Sequence, residues 1–407
     1  MLLFYCFFLE SVIMLLEIYL VLIFATSLSI ILVLSKRNIA GAIFLGALFL
    51  GFATMSPEVL LEVSLRVFLE IGNIVLAIAI SLIPIIGGLL NRKGLLDKMI
   101  RNFPFGKKAF LGFSPAFLGL LTIPGGALFS APLVARCCDE ITDIRKASIN
   151  VWFRHILHIV YPLAPTLIIA CELVGCSVYQ AVIYLAPYFA LSLIVGSIFL
   201  LGGIEENREE KQVNIREFLE PVFIILIAPL IDFTLRTCYH LSSSATFIGI
   251  FTALLITVIY SKARVHEILS IARETRAWNF AFLILAVLEY QAVFKNSGIS
   301  QLVRGISINP LILIVGIGFL LGFLTGRTST PIVILIPMFQ EIFGSLTIPQ
   351  LALMYYSILL GYIISPVHPC LIVTAEYFGI GVSDIIKDLY KLSLVSLLIG
   401  VLLYHLL

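Results

Sequence analysis

Arg327 lies in the stretch LTGRTSTP, between two apolar arms. A guanidinium at bilayer depth is costly and points to function by default. Its planar fork suits a carboxylate or a phosphate. Thr325, Thr328, Ser329 and Thr330 add hydroxyls beside it, fit for substrate oxygens or for a sodium ion. The structural alternative is that Arg327 pairs with an acid inside the bundle, or reaches the headgroups, and only holds its own loop. Glu289, deep within AFLILAVLEYQAVF, is the candidate buried acid and the candidate partner.

His368 sits between the prolines of SPVHPCLIVTAEYFG. Its near-neutral titration suits a proton coupler or a substrate donor. His155 and His158 are three apart beside Arg154 and share a helix face. No cysteine or carboxylate stands at fitting spacing, so a polar vestibule is expected there and no metal; His158 joins the proton candidates. Glu172 and Glu376 are either proton carriers or marks of the membrane edge. The chain has no G-x-x-x-x-G-K, H-E-x-x-H or G-x-S-x-G pattern, which leaves ATP-driven pumping and hydrolytic catalysis unsupported. No enzyme activity and no resident cofactor are expected, sodium being the one ion named beside the proton. The seven cysteines are scattered, several in apolar runs, and read as small buried thiols.

The elements that position these groups are apolar. Hydrophobic residues make up 60% of the 407 and charged residues 12%, about half the charge of a soluble domain. Runs such as IVLAIAISLIPIIGGLL are long and poor enough in charge to cross a bilayer. The reading is an all-α polytopic membrane protein, its N-terminal run a retained first helix. The net charge of +2 gives no sign of nucleic acid. Helices are expected near 12–34, 39–55, 71–90, 148–173, 179–201, 218–233, 242–260, 278–294, 351–375 and from 389 onward.

The order of these elements repeats. Gly119 and Thr122 recur as Gly322 and Thr325, a shift of 203 from 119 to 322. Pro162, Pro165, Glu172 and Gly175 recur as Pro366, Pro369, Glu376 and Gly379, a shift of 204 from 162 to 366. The expected organisation is a first repeat over 1–202, a linker over 203–216 and a second repeat over 217–407. The arms around TIPGG and TGRTST are too short to cross singly at 1.5 Å per residue. They predict two re-entrant hairpins beside about ten transmembrane helices, the halves inverted. Most Lys and Arg then fall in loops on one side, as the positive-inside tendency asks. The alternative joins each pair of arms into one long kinked span.

The breaks carry the chemistry. The prolines at 162–165 and 365–369 leave amides and carbonyls without helical partners, and in lipid such groups persist only where something supplies partners. Helix starts suit anions and helix ends suit cations. The candidate substrate set is Arg327, Thr325, Thr328, Ser329, Thr330, Thr122, Gly125, Gly126, Pro165, Ser365 and His368. The coupling set is Glu289, His368, Glu172, Glu376 and His158.

LTIPGGALFSAPLV and SPVHPCLIVTAEYFG resemble an uncharacterised family of prokaryotic, often archaeal, integral membrane proteins (DUF401-like). More broadly, the chain resembles the ion transporter superfamily of dicarboxylate, citrate, gluconate and arsenite carriers. The resemblance covers nearly the whole chain. It implies inverted repeats, dimers, and substrate and ion held at hairpin tips and helix breaks. This chain has TIPGG and GRTST where the dicarboxylate carriers have paired serine-asparagine-threonine motifs, which sets sodium coupling and dicarboxylate specificity apart from that pattern. The expected function is a secondary transporter of a small anionic solute, driven by H+ or Na+, in a prokaryotic cell membrane. A membrane enzyme or lipid-handling protein using the same cavity, and a non-transporting scaffold, are the alternatives.

Overall fold

The computed structural model describes residues 2–120, 126–137, 140–206, 213–299, 301 and 308–407. Among them there are nineteen helices and no strand, so the all-α class holds. The helices are α1 Leu2–Leu34, α2 Ile39–Thr54, α3 Pro57–Leu69, α4 Ile71–Arg92, α5 Leu95–Arg101, α6 Lys107–Leu120, α7 Ala127–Cys137, α8 Asp143–Ile156, α9 Pro165–Val174 and α10 Val178–Leu200. They continue as α11 Ile215–Tyr239, α12 Ser243–Ser261, α13 Val265–Glu274, α14 Ala277–Asn296, α15 Ile312–Thr325 (π-helical to Ile317), α16 Ser329–Phe343, α17 Ile348–Ile363, α18 Pro369–Phe378 and α19 Val382–Tyr404.

Five of these, α4, α10, α11, α12 and α14, are long and apolar enough to cross a membrane. Shorter apolar helices fill much of the remainder. The chain is therefore a multi-pass membrane protein. α3, α5 and α13 fall in stretches read from sequence as loops. They are short, charged and only partly buried, so they lack the long apolar run that betrays a span. At the start of α3 the Ser56 hydroxyl accepts from the Val59 amide at 3.4 Å and Pro57 takes N1, where a missing N–H costs nothing.

The centre of the molecule is built from α8 and α17. Residues 146–156 of α8 are all buried, as is nearly all of α17 from Leu351 onward. A helix buried all round sits inside the bundle rather than on it. The packing around this pair recurs in matched form. α6 lies on α8 as α15 lies on α17; α19 packs on α8 as α10 packs on α17; α18 meets α7 as α9 meets α16. On the other side, α2 packs on α14 and α12 on α4, while α3 touches α14 and α13 touches α4.

Glycine permits the tightest of these contacts. A Cβ on Gly119 would overlap the Arg154 carbonyl oxygen, and one on Gly322 would overlap that of Ile358. Overlap with backbone cannot be relieved by a rotamer change. Thus the repeated glycines seen in sequence are the places where α6 and α15 approach α8 and α17.

Candidate functional site

Both broken helices bend by the same local chemistry. α8 ends in a 3-10 turn over Leu157–Ile159, and Ala164 then donates its amide to the Tyr161 carbonyl at 3.0 Å. In the second break the His368 amide donates to the Ser365 carbonyl at 3.1 Å. Each is a four-residue turn with proline, Pro162 or Pro366, second in the turn, a position that its fixed φ suits. Each helix then restarts with proline at N1, Pro165 or Pro369. Each restarted helix closes on a left-handed glycine, Gly175 at φ 77° and Gly379 at φ 65°, a conformation only glycine adopts without strain.

A cavity of about 410 Å³ opens between these breaks. Its wall includes Arg154, His155 and His158 from the first broken helix and Pro165 and Thr166 from the restart. Tyr355, Tyr362 and Cys370 come from the second broken helix, and Arg327, Thr328 and Ser329 from the loop between α15 and α16. Arg37 and Asn38 before α2, and Arg276 and Asn279 around the start of α14, complete it. Thr166 and Cys370 directly follow the N1 prolines, so they carry the first amide donors of their helices.

The wall is cationic. Four arginines line it, and among the described residues no Asp or Glu does. Arg37 and Arg276 are exposed, Arg327 is half-buried and Arg154 is buried. Positive charge therefore runs from the surface inward, and low-dielectric walls focus such a field.

The two inner arginines differ. Arg154 donates to the Gly126 carbonyl at 3.0 Å and to the Ser130 hydroxyl at 3.3 Å, which ties α8 to the start of α7. Arg327 has no ion-pair or side-chain hydrogen-bond partner among the described residues. Its loop is held by others. The Thr325 hydroxyl donates to the Leu321 carbonyl at 2.7 Å and to the Arg327 carbonyl at 3.1 Å, and Thr328 and Thr166 hydroxyls lie 3.1 Å apart. Gly326, at φ 59°, brings its backbone against Val367 in the second break: a Cβ there would lie 2.8 Å from the Val367 carbonyl.

The predicted residues distribute unevenly. Arg327, Thr328, Ser329, Pro165 and His158 line the cavity. Thr325 stabilises the loop from behind, and Thr330 is buried, its hydroxyl without a partner among the described residues. Gly126 meets the cavity through Arg154. Ser365 is buried and its hydroxyl accepts from the Val367 amide at 3.3 Å. His368 is buried against Tyr362, ring centroids 4.0 Å apart. Thr122 and Gly125 lie outside the described residues.

The acids stand apart from the arginines. Glu289 does not pair with Arg327: it accepts from the Ser64 hydroxyl at 2.6 Å, on α3, and its second oxygen is buried without a partner among the described residues. α14 turns that side chain toward α3 rather than toward the cavity, a matter of helix rotation that an apolar run does not encode. Glu172 and Glu376 sit exposed in the last turns of α9 and α18, outside the cavity wall.

Sequence reasoning passed over Arg37, Arg276, Thr166, Tyr355 and Cys370. Thr166 and Cys370 were legible as the paired positions after the N1 prolines. Arg37 and Arg276 read only as loop charge, because nothing local distinguishes a loop arginine at a cavity mouth from any other.

A family model described as a protein of unknown function (DUF401) matches residues 17–407. No curated protein matches the chain.

Proposed function

The chain belongs to the DUF401 family, and we propose that it is a secondary transporter of a small anionic solute rather than an enzyme. One observation carries this reading: a membrane-protein cavity between two helix breaks is lined by four arginines and by no acid among the described residues. A buried guanidinium without a counter-charge is costly. A visiting anion supplies the missing charge, and of the two inner arginines Arg327 is the one without a partner among the described residues. Thr328, Ser329 and the first amides of α9 and α18 complete the donor set.

The mechanism is alternating access between two inverted repeats, 1–202 and 217–407, with 203–216 as linker. The packing of α6 on α8, matched by α15 on α17, and of α19 on α8, matched by α10 on α17, supports the duplication. The overlapping Gly119–Arg154 and Gly322–Ile358 contacts do so as well, since 154 to 358 is a shift of 204, near the 203 from 119 to 322. In this plan the α6–α7 and α15–α16 pairs are the re-entrant hairpins, and the architecture is that of the ion transporter superfamily. The mouth carries Arg37 and Arg276, which lie in the basic loops that face the cytoplasm in a prokaryotic cell membrane. In this reading the cavity opens toward the cytoplasm, as in the inward-open state of such a cycle. A proton or a sodium ion drives the cycle, and the working unit is a homodimer.

The test is uptake of a panel of labelled small mono- and dianions into proteoliposomes, with imposed proton or sodium gradients. Gradient-dependent uptake of at least one anion, lost in Arg327→Ala with insertion unchanged, supports the reading. Folded protein that moves no anion under either gradient, while turning over lipid, overturns it in favour of a lipid-handling enzyme.

A further inference from the structure

At the cavity wall, His155 and Cys370 meet the buried His368 in a second donor set, which the anion reading leaves unused. His155, His368 and Cys370 each offer one ligand atom, and these atoms lie within 4.8 Å of one another. Both imidazoles are buried and Cys370 is half-buried. The second break makes the cluster: His368 and Cys370 flank Pro369 at the start of α18, and the turn there delivers them to His155, 213 positions before His368 (from 155 to 368), with ring centroids 4.7 Å apart.

The hydrogen bonds orient these groups for ligation. His155 Nδ1 stands 2.7 Å from the Val151 carbonyl and His368 Nδ1 stands 3.4 Å from the Ile363 carbonyl. A carbonyl only accepts, so both rings carry their proton on Nδ1 and present the Nε2 lone pair. This is the arrangement of metal-binding histidines, whose far nitrogen is fixed by a backbone or carboxylate acceptor. His368 Nε2 has no partner among the described residues, and leaving a buried polar atom unpaired is costly. Among the described residues His155 Nε2 has only the Tyr362 hydroxyl, at 3.3 Å. His158 is turned the other way: its Nε2 donates to the Gly119 carbonyl at 2.8 Å, which excludes it from the set.

We propose that His155 Nε2, His368 Nε2 and Cys370 Sγ bind a late transition-metal ion of the zinc class beside the cavity, where His155 and Cys370 line the wall and His368 is buried. Two imidazoles and a thiolate match the preferences of such an ion over those of magnesium or calcium, which take oxygen. Three protein ligands leave the remaining position to a cavity anion or water. The Cys370 proton leaves to solvent on ligation, so binding falls at low pH. The groups against the cluster are Arg154, His158 and Tyr362, and Arg327 lines the same cavity. The guanidinium of Arg154 is engaged with Gly126 and Ser130, and the thiolate offsets part of the ion's charge. The site departs from the expectation of no metal, which rested on ligand spacing along the chain; the third and second ligands come from across the fold. It stands whether or not the chain carries anions.

The experiment uses full-length protein in detergent, stripped with a chelator, reduced, and titrated with Co2+ as a spectroscopic substitute for Zn2+. The expected result is a thiolate-to-cobalt charge-transfer band that saturates at one ion per chain and is displaced by Zn2+. Cys370→Ser removes the band, His155→Gln and His368→Gln weaken binding more than about 100-fold, and Cys238→Ser leaves it unchanged. A folded wild type without the band, or a band that survives Cys370→Ser, overturns the proposal. Should Cys370→Ser fail to fold, zinc-edge X-ray absorption of the wild type decides: sulfur with imidazole scattering supports the site, and a shell of oxygen and nitrogen alone overturns it.

Discussion

The two broken helices share a backbone and divide the chemistry. The same proline turn, N1 proline and left-handed glycine shape 161–175 and 365–379. Yet α8 buries Lys146, Ser148, Asn150, Arg154 and His155, whereas α17 buries Tyr355, Tyr356 and Ser357 among aliphatic residues. The charge of the second region sits instead on the loop after α15, as Arg327. The lesson is that the bend is needed twice but a structural cation only once: Arg154 is fastened to Gly126 and to Ser130 of α7, and Arg327 has no such partner among the described residues. Asn150 on α8 donates to the Thr374 hydroxyl on α18 at 2.9 Å, so the polar helix also ties the two regions together.

The sharpest way to break this comparison is to remove each arginine. Arg327→Ala is expected to weaken anion binding about 100-fold or more while leaving the melting temperature near wild type, as loss of a charge contact typically costs 2–5 kcal/mol of affinity, or roughly so. Arg154→Ala is expected to lower stability by about 2–4 kcal/mol through two lost charge-assisted bonds. Isothermal titration and thermal melting in detergent separate the two; equal effects of both variants in both assays would erase the distinction.

Next in size are the glycine contacts. Gly119→Ala and Gly322→Ala each add a methyl against a backbone carbonyl and should destabilise by about 1–3 kcal/mol. Gly316→Ala, whose nearest neighbour would stand at 3.9 Å, is the control and should melt like the wild type. A melt of Gly119→Ala or Gly322→Ala that matches this control would contradict the shared packing.

A smaller effect joins the two regions directly. Thr166→Val and Thr328→Val should each cost about 0.5–1.5 kcal/mol by removing one hydroxyl pair. The double variant should cost no more than either alone, since the pair shares one bond. Additive losses in melting would show that the hydroxyls act separately.

The smallest expected effect lies outside the broken helices. Glu267 on α13 accepts from the Arg264 amide at 2.7 Å and from Lys93 at 2.9 Å, and Glu274 accepts from Arg92 at 2.6 Å. The amide of Arg264, then Lys93, holds the Glu267 carboxyl below its usual range, and Arg92 with Ser270 does the same for Glu274. A depressed carboxyl stabilises the folded state above its unfolded value and loses that contribution as pH falls through the folded one. Protection of α13 amides from hydrogen exchange should therefore weaken on acidification below the ordinary carboxylate range, while α8 and α17 amides stay protected. Equal loss in all three would place the acid-sensitive contact elsewhere.

The long spans were legible because apolar length is a local property: 71–90 and 278–294 were expected, and α4 and α14 cover them. The breaks were legible for the same reason, since proline excludes its own helical hydrogen bond wherever it falls. Arg327, Thr328, Ser329, Pro165 and His158 were named from such breaks and do line one cavity. Glu289 was expected near Arg327 and instead reaches Ser64, and the short helix α3 that carries Ser64 was not seen at all. Rotation of a helix about its axis decides which neighbour a side chain meets, and an evenly apolar helix encodes that rotation weakly.

By itself the sequence determined the solvent, the all-helical class and the positions of the interruptions, because composition, run length and proline stereochemistry act within a few residues. Only the tertiary structure decided that arginines from 37, 154, 276 and 327 share one wall, and that His155 meets His368 and Cys370. Those meetings are set by how buried helices pack across hundreds of intervening positions, where shape complementarity rather than local pattern selects the partner.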